Sequence, residues 1–162
     1  MKMKIIWKAA ILTLFFIAGK LSIDTAFAQK LDRAAFYAAM KSGTKDDIDK
    51  LIGTMGEQGF KGYKGALIIR EAGLPGAKGR LKMFKEGKAM LEADIAAHPD
   101  NPELRFLRLS IQERSPKIVG YKGDIKKDKE FLISHFDELP PVVQTAVKDY
   151  SKESKTLKST DF

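Results

Sequence analysis

The stretch LEADIAAHPDNPELRFLRLSIQ, residues 91–112, decides the fold because one helical pattern ends inside it and another begins. Pro99 ends the first pattern, since proline cannot continue a helix. Asn101 followed by Pro102 is typical of a helix start, because the Asn side chain caps the backbone and proline suits the first helical position. These residues predict two consecutive helices joined by a short turn.

The two helices differ in how their apolar residues are distributed. The helix before the turn, predicted over 78–97, has one apolar face, formed by Leu81, Phe84, Gly87, Leu91 and Ile95. The helix after it, predicted over 102–114, has two, with Leu104, Leu107 and Ile111 on one and Phe106 and Leu109 on the other. A helix that is apolar on two faces is usually packed between neighbours. We therefore predict that the second helix is central.

Helical spacing of apolar residues recurs along the chain, whereas the alternation typical of strands is nearly absent. Further helices are predicted over 31–41, from Thr44, and over 57–72, 124–139 and 142–150. The predicted fold class is all-α, an antiparallel stack of helical hairpins with about seven helices and a repeat-like centre, over residues 29–150. Residues 151–162 are polar and basic without a packing pattern, and we expect a flexible basic tail.

Glycine recurs at every third position before and within the helix predicted over 57–72, at Gly53, Gly56, Gly59, Gly62 and Gly65. Each glycine inside a helix costs about 1 kcal/mol relative to alanine. Such a stripe makes physical sense where another helix approaches closely, and Gly87 in the next helix suggests the same. The alternative is a looser, partly irregular segment.

Residues 1–28 have the pattern of a secretory signal peptide. Lysines precede an apolar run over 9–19, and Ala26-Phe27-Ala28 provides the small residues that signal peptidase requires before Gln29. The apolar run is too short to span a bilayer, which favours cleavage over an uncleaved membrane anchor. We expect an exported protein, periplasmic or secreted, without stable membrane insertion after cleavage.

Charge and composition narrow the classes of partner and chemistry. The chain has 162 residues and a net charge of +8, and the leader carries three of these positive charges. The remaining charge is modest for a small domain, and export also argues against a nucleic-acid partner. The sequence contains no cysteine, which excludes disulfides, thiolate catalysis and Cys-bound metal or haem.

No catalytic or cofactor-binding motif is recognisable, and we expect a protein that is not an enzyme and holds no cofactor or metal. His98 and His135 are the two histidines, and they form no zinc-binding pattern. The polar constellation that stands out is Arg105, Arg108 and Gln112, which share one face of the predicted central helix. Two guanidinium groups are suited to clamp a carboxylate or phosphate of a partner. Alternatively, they pair with acidic residues of a neighbouring helix or face water.

The segments YKGALIIREAG (63–73) and LKMFKEGKAMLEADIAAHPDNPELRFLRLSIQERSPKIVGY (81–121) resemble small exported helical proteins of Bacteroidota, a family without an assigned function. The most specific piece is NPELRFLRLSIQ at 101–112. The helix junction AAHPDNPE also resembles a tetratricopeptide repeat, although the repeat's period of about 34 residues and its Trp-Leu-Gly start are absent. The resemblance implies an exported all-helical protein and assigns no functional residue.

Two functions fit these observations. The first is a non-catalytic module of the cell envelope that interacts with an envelope protein or peptide, because helical stacks present broad surfaces. The second is a small-ligand binder, or an unrecognised hydrolase, with a pocket between helices. A deep cavity with converging polar groups would favour the second function, and a shallow groove would favour the first.

Overall fold

Seven α-helices and three short 3-10 helices build the part of the chain that the computed structural model describes, residues 30–56 and 59–162. The α-helices are α1 (Arg33–Ser42), α2 (Lys45–Thr54), α3 (Lys61–Ala72), α4 (Arg80–Ala97), α5 (Pro102–Arg114), α6 (Ile125–Ser134) and α7 (Pro141–Ser151). The 3-10 helices are Lys117–Val119, Phe136–Glu138 and Ser159–Asp161. These ranges contain no strand, and the all-α prediction is confirmed. The leader predicted over 1–28 lies outside the described residues.

None of the helices in residues 30–56 and 59–162 combines the length and the apolar character that crossing a bilayer requires.

Helix starts follow the local capping chemistry that the sequence predicts. At α5 the Asn101 side chain accepts hydrogen bonds from the backbone N–H groups of Glu103, at 2.9 Å, and Leu104, at 3.3 Å. At α2 Thr44 and Asp47 form a reciprocal capping box, in which each side chain accepts from the other residue's backbone N–H. These caps satisfy N–H groups that have no partner inside the helix, so they fix where each helix begins.

Two helices are shorter than the sequence predicts. α3 begins only at Lys61, because the preceding Phe60 has a left-handed backbone conformation with a φ of 58°, which a right-handed helix cannot include. α6 ends at Ser134, and the chain then tightens into the 3-10 helix Phe136–Glu138. Leu139 follows in an extended conformation, as a residue before proline prefers.

α5 is the central helix, as its two apolar faces predict. Nine of its thirteen residues are buried, the largest share of any α-helix in the described ranges, ahead of seven of twelve in α3. One face, with Leu104 and Leu107, belongs to a hydrophobic cluster built with α1 to α4. The other face, with Phe106 and Leu109, belongs to a second cluster built with α6, α7 and the C-terminal residues. α5 therefore joins the two halves of the core.

α3 and α4 form an antiparallel pair that depends on glycine. The contacts run from Gly62 beside Asp94 to Ile69 beside Gly87, so the two helices point in opposite directions. Gly65 and Gly87 face each other, and a Cβ atom on either would meet the other's carbonyl oxygen. The close helix approach predicted from the glycine spacing is thus confirmed at these three glycines.

Two other glycines of the predicted stripe have no packing role of this kind. A Cβ atom built on Gly53 or on Gly59 would have no neighbouring atom within 4 Å. Gly53 lies in α2, whose contact with α3 is much less extensive than that of α4. The regular glycine spacing therefore predicts a longer contact than the structure has. Gly62 and Gly65, both in α3, pack closely against α4, and these two other glycines do not.

The C-terminal residues pack against the domain, whereas the sequence predicts a flexible tail over 151–162. The Leu157 side chain is completely buried, and the Phe162 ring lies 4.6 Å from that of Phe136, measured between centroids. The carboxylate of Glu113 on α5 accepts hydrogen bonds from the backbone N–H groups of Lys155 and Thr156, the latter at 3.0 Å. The flexible tail was predicted because Leu157 and Phe162 are too few and too far apart to form a helical or strand pattern.

The carboxyl group of Glu113 also accepts from the hydroxyls of Tyr150 and Ser154, each at 2.7 Å. Partial burial disfavours its charged form, but these four donors outweigh burial and lower the pKa of Glu113. A lowered pKa means that the charged form stabilises the fold. That stabilisation is complete above the usual glutamate pKa of 4.5 and is lost as the pH falls through the lower folded value.

We predict that replacing Gly65 by alanine destabilises the protein by about 1–3 kcal/mol, the usual effect of overpacking. The added methyl group would displace the backbone of α4, which cannot yield as a flexible side chain can. The matched control is Gly53→Ala, which fills open space in a helix and should be neutral or stabilising by up to about 1 kcal/mol. Urea denaturation measures both variants, and equal stability of the two would contradict the close contact.

A second prediction concerns the tail. At neutral pH the Lys155 and Thr156 amides should exchange hydrogen slowly in the wild type and much faster in Glu113→Gln, which loses the charged acceptor. As the pH falls through the folded pKa of Glu113, which lies below the usual value of 4.5, protonation of Glu113 should make the wild type approach the variant. Hydrogen exchange followed by NMR, with both proteins compared at each pH, measures this. Equal protection of these amides at neutral pH would rule out the contact.

Candidate functional site

The arginines singled out in the sequence project from α5 towards α6 and meet a single buried carboxylate. Asp128 accepts hydrogen bonds from Arg108 Nε and Nη2, both at 2.7 Å, and from Arg105 Nη1 at 3.1 Å. Its side chain is completely buried. Paired N–H donors from one guanidinium match the geometry of a carboxylate and make a strong, charge-assisted contact.

The remaining polar atoms of these side chains are also engaged. Arg108 Nη1 donates to Glu92 of α4 at 2.9 Å, and Arg105 Nε and Nη2 donate to the carbonyl oxygen of Pro99. Gln112 bonds Asp124 twice, donating from Nε2 to its carboxylate and accepting from its backbone N–H, each at 3.1 Å. Since the contacts move from Asp128 to Asp124 along α5, α5 and α6 are antiparallel.

These contacts correct the interpretation of the arginine face as a partner-binding site. Arg105, Arg108 and Gln112 are all buried, and their donors already meet acceptors of this chain. The alternative reading of the sequence, pairing with acidic residues of neighbouring helices, describes the structure. The three residues lock α4, α5 and α6 together instead of facing a partner.

The surroundings of this cluster raise the pKa values of Arg108 and of the neighbouring Tyr121. Burial disfavours the charged form of Arg108, but hydrogen bonds and the charges of Asp128 and Glu92 outweigh burial and raise its pKa. Tyr121 donates to the Glu92 carboxylate, and burial together with this contact raises the pKa of the phenol. Arg108 therefore stays charged and Tyr121 stays protonated at neutral pH.

A second buried ionic cluster, which the sequence analysis missed, surrounds Glu103 near the start of α5. Its carboxylate accepts from Arg33 Nε at 2.9 Å, from the Tyr63 hydroxyl at 2.8 Å and from the Tyr37 hydroxyl at 3.2 Å. Burial and the charge of Glu103 raise the pKa of both tyrosines. An acidic residue in a first helical turn is usually exposed, so no signal in the sequence marked this one.

Within residues 30–56 and 59–162, no group of three or more His, Cys, Asp or Glu side chains is placed to hold a metal ion. His98 lies at the end of α4 with its Nδ1 atom 2.9 Å from Asp94. The His135 ring stacks on Phe131 with 4.0 Å between centroids. The structure thus places the two histidines just after the ends of two different helices, α4 and α6, in different local contacts.

An open groove of about 770 Å³ lies where the ends of α1, α3 and α5 meet the start of α4. We call it the cationic groove. It is lined by Met40, Lys41, Ile69, Arg70, Ala72, Gly73, Arg80, Leu81, Phe84, Ser110, Ile111, Arg114, Ser115, Pro116, Ile118 and Val119. The sequence analysis missed this groove, because its residues come from four separate segments, 40–41, 69–73, 80–84 and 110–119, that only the fold brings together.

The rim of the cationic groove exposes apolar side chains. Ile118 is 94% exposed and Leu81 is 58% exposed, and these are the two most exposed large apolar side chains among the described residues. Ile118 sits in the 3-10 helix Lys117–Val119, which Gly120 ends with a left-handed φ of 62°. This tight turn holds the side chain out into solvent.

No protein-family model, curated protein or solved structure matches the chain.

We predict that Asp128→Asn destabilises the protein by about 3–5 kcal/mol, because it leaves two buried guanidinium groups without their shared counter-charge. The matched control is Asp137→Asn, which removes one charge from an exposed residue and should change stability by less than about 0.5 kcal/mol. Urea denaturation followed by circular dichroism measures both. A loss as small as that of the control would mean that the buried cluster does not hold α5 to α6.

Proposed function

We propose that the protein is an exported, non-catalytic helical module of the cell envelope, which binds a protein or peptide partner through the cationic groove. Export is inferred from the sequence of residues 1–28, as is a relationship to the exported helical proteins of Bacteroidota. The observation that carries the binding proposal is the position of Ile118 and Leu81 on one groove. Soluble domains rarely leave contiguous apolar surface in water unless something covers it.

The shape of the groove favours a macromolecular partner. The groove is open to solvent, and its lining combines the exposed Leu81 and Ile118 with the buried Ile69, Ala72 and Ile111. A small molecule on this floor would leave Ile118 in water, whereas a polypeptide laid across the groove would cover it. The volume does lie in the range of about 300–1,000 Å³ typical of small-ligand sites, which keeps a small-ligand binder as the second candidate.

A non-catalytic role agrees with the chemistry of the buried ionisable groups. The carboxylates of Glu103 and Asp128 are engaged with arginine side chains of the same chain. The tyrosines at these clusters have raised pKa values, which keeps their phenols protonated at neutral pH. None of these groups faces the cationic groove, so we assign it to binding.

The test is affinity capture from an envelope extract with the purified protein. Wild type should retain a specific protein, and Ile118→Asp should lose it, because a charge replaces the most exposed apolar contact. Stability should hardly change, since Ile118 packs against almost nothing.

Val142→Asp is the matched control, because Val142 is also exposed but lies in the first turn of α7, outside the groove. This variant should retain the partner. Loss of the partner in both variants, retention in both, or no specific partner with wild type would each contradict the proposal.

A further inference from the structure

We propose that the partner presents an acidic and apolar segment, in which carboxylate side chains accompany large aliphatic or aromatic ones. This inference rests on the proposed function and specifies the chemistry of the occupant. Its first support is charge. The residues lining the cationic groove include four cations and no acid, and the cations are Lys41, Arg70, Arg80 and Arg114.

A second groove on the same protein shows that this imbalance is not general. The groove between α1 and α2 has a similar volume, about 700 Å³. It is lined by two lysines and two aspartates, Lys30, Lys50, Asp32 and Asp47. Its charges compensate each other, whereas those of the cationic groove add. Complementary charge is what steers and selects a partner at an interface.

Two of the groove's guanidinium groups are positioned without being neutralised. Arg70 Nε donates to the carbonyl oxygen of Met40 at 3.0 Å, and Arg80 Nη2 donates to that of Leu74 at 2.7 Å. A carbonyl is neutral, so each positive charge remains. Each guanidinium has five N–H donors, of which these contacts use one, so donors are left for a partner's carboxylate.

The charge of Arg114 is only weakly compensated. Its Nη2 atom lies 3.6 Å from the carboxylate of Glu153, and the two side chains are 56% and 72% exposed. Exposed pairs of this kind contribute little, because water and salt screen them. A partner that covers the groove would exclude this water and strengthen its own contacts with the arginine.

The apolar part of the proposed segment follows from the groove's other lining residues. The floor is formed by Ile69, Ala72 and Ile111, and the rim by Leu81 and Ile118. Covering apolar surface is favourable in proportion to the area removed from water, so aliphatic or aromatic side chains are the favoured contacts here. A polypeptide with interspersed acidic and apolar residues could place apolar side chains on the floor and rim of the groove and carboxylates beside its cations.

The experiment uses fluorescence anisotropy with the purified protein and three short labelled peptides. All carry leucines at the same positions, and the other positions are all Glu, all Gln or all Lys. We expect the Glu peptide to bind at least about tenfold more tightly than the Gln peptide, with a preference that weakens as salt rises. Equal binding of the Glu and Gln peptides would overturn the inference.

A charge-reversal variant tests whether the cationic groove causes the preference for the Glu peptide. Arg80→Glu/Arg114→Glu changes two exposed residues of the groove, so the fold should persist, and the preference should shift to the Lys peptide. Lys126→Glu/Lys127→Glu makes the same change in net charge on exposed residues of α6 and should keep the preference for Glu. A reversal by both variants would mean that net charge, not the groove, decides, and would overturn the inference.

Two further binding measurements distinguish an acidic peptide from anionic lipids as the partner. Vesicles rich in phosphatidylglycerol and the single-chain carboxylate laurate are tested for binding to the wild type and to Arg80→Glu/Arg114→Glu. If either the vesicles or laurate bind to the wild type but not to the variant, and the Glu peptide does not bind, the inference is overturned in favour of a lipid.

If Ile118→Asp loses an envelope partner while the Glu peptide is not preferred, the proposed function stands and the acidic segment is wrong. If no envelope partner is captured and no peptide binds, both are wrong.

Discussion

The shared carboxylate of Asp128 is the constraint on which the arrangement of α4, α5 and α6 depends. Its completely buried side chain holds two guanidinium groups of α5, and one of these reaches on to Glu92 of α4. A buried charge is tolerated only where opposite charges and hydrogen bonds surround it, so the register of these helices has little freedom. The same holds at the start of α5, where the Glu103 carboxylate accepts hydrogen bonds from one guanidinium and two phenols. Hydrophobic burial drives the collapse of the core, and these directional contacts select one packing.

Local signals in the sequence predicted much of the fold. Asn101 and Pro102 marked the start of α5, and Gly65 and Gly87 marked the close contact of α3 with α4, because capping and close approach each demand particular residue types. The site was harder to predict. Glu103 and Asp128 look like surface residues in the sequence, and only the three-dimensional fold brings arginines to them. The cationic groove was not predicted for a related reason, because its lining residues are separated along the chain.

The arginines of this protein illustrate two uses of one side chain. Arg105 and Arg108 are buried and saturated, and they serve the fold. Arg80 and Arg114 are exposed and donate only in part to their own chain, which leaves charge available at the surface. Sequence spacing drew attention to the first pair, because regular positions on a helix are easy to recognise. Exposure and the absence of acids in the groove lining distinguish the second pair, and both are properties of the fold.

The contact between Glu113 and the last residues bears on the order in which the chain folds. α3 and α4 are consecutive, so their antiparallel pair requires only a short loop to close, which is entropically cheap and fast. The bond from Thr156 to Glu113 joins residues 43 positions apart and needs the C-terminal end of the chain. We therefore expect a chain that emerges N-terminus first during synthesis to build the α3–α4 pair early. Closure of the second hydrophobic cluster waits for Leu157, so a chain still lacking its final residues holds an incomplete core.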